Sequence, residues 1–230
     1  MGLFLNLSGV VGKSEADVVL SLKNYLNSTG GGLEIADIDS SHKNFCAIEW
    51  VNGNAAIFFP AYFTDCEECS VFISKNLDAT VFSCHIHDGD LWMYTMYVNG
   101  EIMDRFCPIP DYWDENISQE EIESWAGNAE IVAKYVPGLN AEDIEKYLIT
   151  WDLDKGEEKA YPDDEFANCD WQLVDFLTKL KLPYPIDNEG NPRGKIFKMW
   201  TKDLPIDENL IPVNGYVVGS TSAKPWWKFW

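Results

Sequence analysis

The stretch "TVFSCHIHDGDLWMYTMYVNGEIMDRFC", residues 80–107, decides the fold, because it contains three apolar runs separated by two short polar turns. Asp88-Gly89 and Asn99-Gly100 suit two-residue hairpin turns, which need positive φ angles at their centre. The runs are rich in aromatic and β-branched residues, which are typical of strands. The stretch therefore predicts three consecutive antiparallel strands.

The tripeptide "GKS" at residues 12–14 resembles the end of a phosphate-binding loop. The motif G-x-x-x-x-G-K-[ST] would place its first glycine at position 7, which is Leu7 in this chain. Ser14 followed by Asp17 is typical of a helix N-cap instead, and apolar residues then recur at helical spacing. The segment predicts a helix over residues 14–27 and excludes a nucleotide site of this class.

Two further segments complete the predicted sheet region. "GLEIADID" (residues 32–39) predicts a strand, and Asn52-Gly53 predicts a hairpin between the apolar runs of residues 44–63. "TDCEECSVFISKNLD" (residues 64–78) predicts a second helix. Strands and helices in this order predict an α+β fold, with a mainly antiparallel sheet and helices on one face.

The composition of the sequence changes after Trp113, where acidic residues become frequent and the apolar residues follow a helical pattern. Helices are predicted over residues 118–136 and 140–152, with capping patterns at Ser118 and Asn140. A third helix is predicted over residues 170–182, with Trp171, Val174, Leu177 and Leu180 along one apolar stripe. The predicted organisation is an α+β sheet region (1–113) and a helical region with an aromatic tail (114–230), packed together as one domain.

The charge of the 230-residue chain restricts its partners. Its net charge is −21, and residues 101–170 carry 20 of the 38 acidic residues but only five of the 17 basic residues. Nucleic acid is excluded as a partner, because its binders neutralise phosphates with Lys and Arg. An anionic membrane is disfavoured for the same reason. The charge favours a basic protein partner.

The sequence also predicts the compartment. No apolar run is long enough to span a membrane, and the first residues lack the basic start and cleavage site of a signal peptide. Six cysteines are scattered over residues 46–169, a spacing that does not resemble a dense disulfide framework. We therefore expect a cytoplasmic protein with free thiols.

Cys66 and Cys69 form a C-x-x-C pair, and Cys84 with His87 could complete four zinc ligands. The second pair lacks the regular spacing of a structural zinc site. Alternation along a strand also places Cys84 and His87 on opposite faces. We therefore expect buried thiols here, and neither a metal nor a cofactor.

Arg105 is one of only two arginines in the chain, and Asp104 and Asp111 flank it. A lone arginine among carboxylates forms ion pairs that fix a loop, and it could also orient an anionic ligand. His85 and His87 add titratable groups on a predicted strand. A pocket near Arg105, His85 and His87 is the site we expect if the protein is an enzyme or binds a small ligand.

The segment "DGDLWMYTMYVNGEIMDRFCPIPDYW", residues 88–113, resembles part of a group of uncharacterised bacterial proteins. In that group a strand hairpin ends in an Asp-Arg-Phe step and a Pro-Asp-Tyr turn, and an acidic helical region follows. The resemblance extends over residues 88–180 and implies a bacterial, cytoplasmic α+β protein. It implies no catalytic residues, because the group has no assigned activity.

The acidity and the lack of a catalytic motif together predict a non-enzymatic interaction protein, of the inhibitor or immunity type, that binds a basic partner. We expect the acidic face of residues 111–170 to be the contact. The terminal "KPWWKFW" folds back on its own core or fills a homodimer interface, docks on a partner, or binds a membrane surface through its Trp and Lys residues. The predicted interface residues are Asp111, Tyr112, Trp113, Glu120, Glu121, Trp125, Trp226 and Trp227.

Overall fold

The computed structural model describes residues 4–36, 45–60, 63–89, 91–151, 171–187 and 191–202. Within these ranges the chain forms eight strands and five α-helices. The strands are β1 (Leu5–Val10), β2 (Gly32–Ile35), β3 (Phe45–Val51), β4 (Asn54–Phe58), β5 (Thr80–His87), β6 (Leu91–Val98), β7 (Glu101–Phe106) and β8 (Lys195–Trp200). The helices are α1 (Glu15–Ser28), α2 (Cys66–Leu77), α3 (Gln119–Ser124), α4 (Ala129–Tyr135) and α5 (Trp171–Lys179), with single 3-10 turns at Ala141–Asp143 and Glu145–Tyr147.

The strands form one sheet in the order β2-β8-β3-β4-β1-β5-β6-β7, and every neighbouring pair is antiparallel. The predicted α+β architecture with a mainly antiparallel sheet is therefore confirmed. β8 is not among the predicted strands. It lies between β2 and β3, so the C-terminal part of the described chain completes the sheet that the N-terminal part begins.

The three predicted hairpin turns are confirmed. Each turn consists of an Asn or Asp followed by a Gly, and both residues have positive φ angles, which match the right-handed twist of the flanking strands. These angles are 52° and 89° at Asn52-Gly53, 51° and 71° at Asp88-Gly89, and 51° and 81° at Asn99-Gly100.

Helices cover both faces of the sheet, so the prediction that they lie on one face is wrong. The face that carries Val10 and Val81, here called the α1 face, packs against α1 and α2. The opposite face, here called the α5 face, carries Leu7 and Tyr94 and packs against α4 and α5, where Phe176 stacks on Tyr94. The physical reason is β6, in which every residue from Leu91 to Tyr97 is buried, so that the strand needs cover on both sides.

Close packing above β1 requires a glycine. An added Cβ at Gly9 would lie 2.7 Å from Cδ1 of Leu182, which follows α5 and lies over the α5 face. On the α1 face, the hydroxyl groups of Ser8 and Ser70 form a buried 2.6 Å hydrogen bond between β1 and α2. These contacts fix both helical layers to the strand in the middle of the sheet.

Helix α5 presents a different stripe from the predicted one. Leu177 and Leu180 are buried as expected, but Trp171 is 41% exposed and Val174 is only partly buried. The residues that complete the buried stripe are Leu173 and Phe176. The apolar stripe is therefore rotated by about one position, because Phe176 fits between the aromatic rings of the sheet.

The acidic helical segment is more broken than predicted. The predicted helix over residues 118–136 is interrupted between α3 and α4, where Ala126 forms a bridge with Phe106 and Gly127 has a φ angle of 71°. The predicted helix over residues 140–152 is replaced by the two 3-10 turns. Residues 152–170 and the aromatic tail lie outside the described residues.

Candidate functional site

Ten carboxylates distributed over residues 111–145 form what we call the acidic surface. Every one of them is exposed, and the one basic residue of this segment is Lys134, with Lys146 directly after its end. Within the described part of the chain, none of the ten takes part in an ion pair. The members are Asp111, Asp114, Glu115, Glu120, Glu121, Glu123, Glu130, Glu142, Asp143 and Glu145.

Capping hydrogen bonds hold the short elements that carry these carboxylates. The side chain of Ser118 accepts from the backbone N–H of Glu121, and the side chain of Asn128 accepts from two backbone N–H groups of α4. The predicted capping box between Asn140 and Asp143 is present. Because each element is short, these caps rather than helix length fix the positions of the carboxylates.

The segment is tied to the edge of the sheet at several points. The backbone N–H of Cys107 donates to the carbonyl of Trp125, and the hydroxyl of Thr80 donates to the carbonyl of Tyr135. At the end of the segment, the backbone N–H of Trp151 donates to the carbonyl of Pro108. The segment that carries the carboxylates is therefore hydrogen-bonded to β5 and to the residues that follow β7.

Three aromatic residues of the predicted interface accompany the carboxylates. Tyr112 is 39% exposed, whereas Trp113 and Trp125 are partly buried. The rings of Tyr112 and Trp113 pack edge-on against His87, with centroids 5.7 and 5.2 Å from the imidazole. The guanidinium carbon of Arg105 lies 4.9 Å from the centre of the Trp125 ring.

The predicted interface residues thus fall into two groups. Asp111, Tyr112, Glu120 and Glu121 are exposed, while the two tryptophans in the described segment are anchored by the sheet. Trp226 and Trp227 lie outside the described residues.

The predicted ligand residues lie on one face of the sheet. His85 and His87 are neighbours, with ring centroids 5.9 Å apart, and Nδ1 of His85 lies 2.6 Å from Oδ1 of Asn6. Arg105 stands opposite Thr95, on the same face but beyond β6. The structure therefore brings the two histidines together and places Arg105 in a neighbouring cluster with Trp125 and Ser124.

Burial keeps His85 neutral. Loss of solvent, with a smaller contribution from His87, lowers the pKa of His85 to about 3. The imidazole accordingly acts as a hydrogen-bonding group of the interior at neutral pH.

Glu67 is a residue of this region that the sequence did not single out. Its side chain is partly buried, and the hydroxyl of Thr95 lies 3.4 Å from its Oε1 atom. Burial, with a smaller contribution from Glu68, raises the pKa of Glu67 to about 7, while Thr95 and Arg105 act in the opposite direction. The "CEEC" stretch gave no sign of which glutamate faces the interior; in the structure Glu68 is the exposed one.

The four cysteine and histidine side chains considered for zinc do not converge. Cys66 and Cys69 lie in the core on the α1 face, whereas Cys84 lies in the core on the α5 face. All three are free thiols and buried, and burial raises the pKa of each. The predicted alternation, with Cys84 facing away from His85 and His87, is confirmed. It places the Cys84 thiol on the opposite face of the sheet from the other three side chains.

No protein-family model, curated protein or solved structure matches this chain. None of the helices in the described part of the chain combines the length and the apolar character that crossing a membrane requires.

Proposed function

We propose that this protein is a non-enzymatic interaction protein, of the inhibitor or immunity type, which binds a basic protein partner through the acidic surface. The observation that carries the proposal is the exposure of all ten carboxylates on residues 111–145 with only one lysine, Lys134, among them. Carboxylates kept at the surface retain their hydration, so they are available to meet cationic groups of a partner.

Charge of one sign, concentrated in a single segment, acts on a partner before contact. The electrostatic field of such a patch steers an oppositely charged protein and raises its association rate. The field is screened over about 8 Å at physiological ionic strength, so the rate falls as salt is added. Repulsion of acidic proteins gives the same surface selectivity.

The aromatic residues supply the part of an interface that charge alone does not. Tyr112 offers exposed ring area, and tyrosine and tryptophan are enriched among the residues that dominate binding energies. Trp113 and Trp125 are held in place by His87 and Arg105, so little side-chain freedom would be lost on binding.

A pull-down from lysate of the native host tests the proposal with three baits. The first bait is the wild-type chain. The second, the acidic-surface variant, carries Asp111→Asn, Glu120→Gln and Glu121→Gln. The third, the control variant, removes as much charge at exposed positions outside residues 111–145, by Glu34→Gln, Asp78→Asn and Glu101→Gln.

We expect a basic protein to be retained in stoichiometric amount by the wild type and the control variant, to be released by salt, and to be lost from the acidic-surface variant. Equal retention by all three baits would contradict the proposal, as would a retained partner that is itself acidic. Recovery of no stoichiometric protein would also count against it.

A second candidate function is that of an enzyme or small-ligand-binding protein with a site near Arg105, His85 and His87. The observation that favours it is that Glu67, on the face that carries both histidines, has a pKa of about 7, which the charge of Arg105 lowers. Groups with displaced pKa values concentrate at functional sites. A metabolite panel screened by thermal shift distinguishes the two functions, because an authentic ligand should stabilise the wild type but not Arg105→Gln.

A further inference from the structure

The α5 face of the sheet has helical cover over only part of its width. Its core cluster extends from β7 across β6 and β5 to β1, and Phe58 of β4 lies at the margin of that cluster. On β2, β3 and β8, the buried side chains that pack against α1 and α2 all belong to the α1 face. None of the described helices therefore covers the α5 face of β2, β8 and β3.

The side chains on this uncovered part of the sheet are large and apolar. Phe45 stacks on Phe58, with ring centroids 5.7 Å apart, and Ile196 lies on the same face of the adjacent β8. The indole of Trp200 lies over β2, where a side chain at Gly32 would overlap it. All four apolar side chains are only partly buried. We call them the β3–β8 surface: Phe45, Phe58, Ile196 and Trp200.

The β3–β8 surface differs from the rest of the molecule in its charge. Lys198 and Glu34 stand opposite each other in the pairing of β2 with β8, and both are exposed on this face. Glu49 lies toward the other end of β3, where Arg193 opposes the rise that burial causes in the pKa of its carboxyl group. These four described charges balance, in a chain whose net charge is −21.

This balance indicates what covers the surface. A basic partner is attracted to carboxylates and not to a neutral apolar area. A second copy of the chain fits the area instead, because a patch that combines apolar side chains with both signs of charge can complement itself about a two-fold axis. Such an axis brings Lys198 of each copy to Glu34 of the other.

The position of the β3–β8 surface also limits the repulsion between two acidic chains. In the sheet, β8 and β7 are six strand spacings apart, which is about 29 Å. Interactions between exposed charges are screened over about 8 Å at physiological ionic strength. The acidic surface, which is attached near β7, therefore does not oppose a contact between two copies at β8.

We propose that this protein forms a homodimer in which the β3–β8 surfaces of two copies pack face to face. Sheets packed in this way lie about 10 Å apart, and the side chains of their inner faces interdigitate. Aromatic side chains are enriched in interfaces of this kind. The pairs between Lys198 and Glu34 lie at the rim, where they fix the relative orientation of the copies, and both acidic surfaces remain exposed.

The homodimer does not depend on the basic partner, and salt distinguishes the two associations. Added salt weakens the attraction between the acidic surface and a basic protein, whereas it screens the repulsion between two chains that each carry a net charge of −21. The acidic-surface variant should therefore lose the basic partner and keep the homodimer.

The test is sedimentation equilibrium from about 1 µM to about 200 µM protein, at about 150 mM and about 500 mM salt. The wild-type mass should rise with concentration from 26.2 kDa to twice that value, and it should do so at lower concentration in the higher salt. Ile196→Lys should weaken the homodimer at least about tenfold, because it places two unpaired charges in the apolar centre. The control Ile102→Lys, at an isoleucine that is 45% exposed on β7, should leave it unchanged.

Lys198→Glu should also weaken the homodimer, because it brings two glutamates together across the interface, and Lys198→Glu combined with Glu34→Lys should restore it. These two variants leave the apolar centre intact, so they keep the test decisive if Ile196→Lys alters folding. A wild-type mass that stays at 26.2 kDa at every concentration would overturn the inference. So would a homodimer that Ile102→Lys weakens as much as Ile196→Lys does, or one that the exchanged charges do not restore.

Discussion

The hydroxyl group of Tyr94 donates a 2.6 Å hydrogen bond to Oδ2 of Asp104, and the backbone N–H of Asn128 donates to the same oxygen. One carboxylate thereby joins the fully buried middle of β6 to the start of α4. Burial raises the pKa of Asp104, while these two bonds and one from the backbone of Arg105 oppose that rise. This oxygen is one of the points that attach α4 to the sheet, beside the bond from Thr80 to Tyr135.

Tyr94→Phe should lower the free energy of unfolding by about 1–3 kcal/mol, because it removes a donor to a partly buried carboxylate and keeps the ring. Urea denaturation measures the change. In an Asp104→Asn background the same substitution should cost less, since the bond to a charged acceptor is already gone. Equal losses in the two backgrounds would show that the bond contributes nothing specific.

For Glu67 we predict that its contribution to the free energy of unfolding falls as the pH rises. Its pKa in the folded protein, about 7, lies above that of an exposed glutamate, so folding favours the protonated form. The associated stability is complete below the unfolded-state pKa near 4.3 and is lost as the pH rises toward 7.

Glu67→Gln should therefore be more stable than the wild type at about pH 8, by on the order of 2 kcal/mol after allowance for its partial exposure, and equal to it at about pH 4. Urea unfolding at several pH values checks this, with Glu68→Gln as the control. Parallel pH profiles for the wild type and Glu67→Gln would contradict it.

For His85 we predict that the free energy of unfolding falls as the pH is lowered. Because its folded-state pKa of about 3 lies below its ordinary value of 6.5, protonation favours the unfolded chain. Its contribution to stability is complete above about pH 6.5 and is lost as the pH falls toward 3. The imidazole NMR signals of His85 should not titrate between about pH 8 and about pH 5, and a midpoint near 6 would contradict the buried, neutral state.

The contact between Asn6 and His85 has its own test. Asn6→Ala removes the side-chain oxygen that lies 2.6 Å from Nδ1 and should lower the free energy of unfolding by about 1–2 kcal/mol. At neutral pH, Asn6→Ala should cost more in the wild type than in a His85→Phe background, because phenylalanine has no ring nitrogen to contact the Asn6 side chain. A cost that is the same in both backgrounds would assign it to packing alone.

Gly9→Ala should lower the free energy of unfolding by about 1–3 kcal/mol, because the new methyl group would overlap the end of the Leu182 side chain. Thermal unfolding measures the loss. Gly9→Ala combined with Leu182→Ala should lose less than the sum of the two single changes, since the shorter side chain relieves the overlap. Additive losses would show that the two positions do not compete for space.

The sequence was sufficient for the features that depend on local chemistry. The Asn-Gly and Asp-Gly turns were predicted because few other pairs accept two positive φ angles. The N-caps at Ser14 and Ser118 were predicted because a hydroxyl placed before a helix satisfies backbone donors that have no other partner.

Features that depend on distant contacts were missed. In β8, Phe197 and Met199 are buried and Lys195 and Lys198 are exposed, a pattern too short to identify a strand without its partners β2 and β3. The two-sided cover of the sheet follows from where α5 docks, which no local pattern specifies. The selection of Glu67 over Glu68 likewise depends on how α2 is rotated against β6.

The central claim is that a basic partner is recognised by the acidic surface. Its most direct test is the association rate constant of the captured partner, measured by stopped flow at ionic strengths from about 50 mM to about 500 mM. For the wild type and the control variant we predict a fall of about tenfold or more across this range, and for the acidic-surface variant a slower and much less salt-dependent association. Association that is independent of salt, or equally dependent on salt in all three proteins, would contradict the claim.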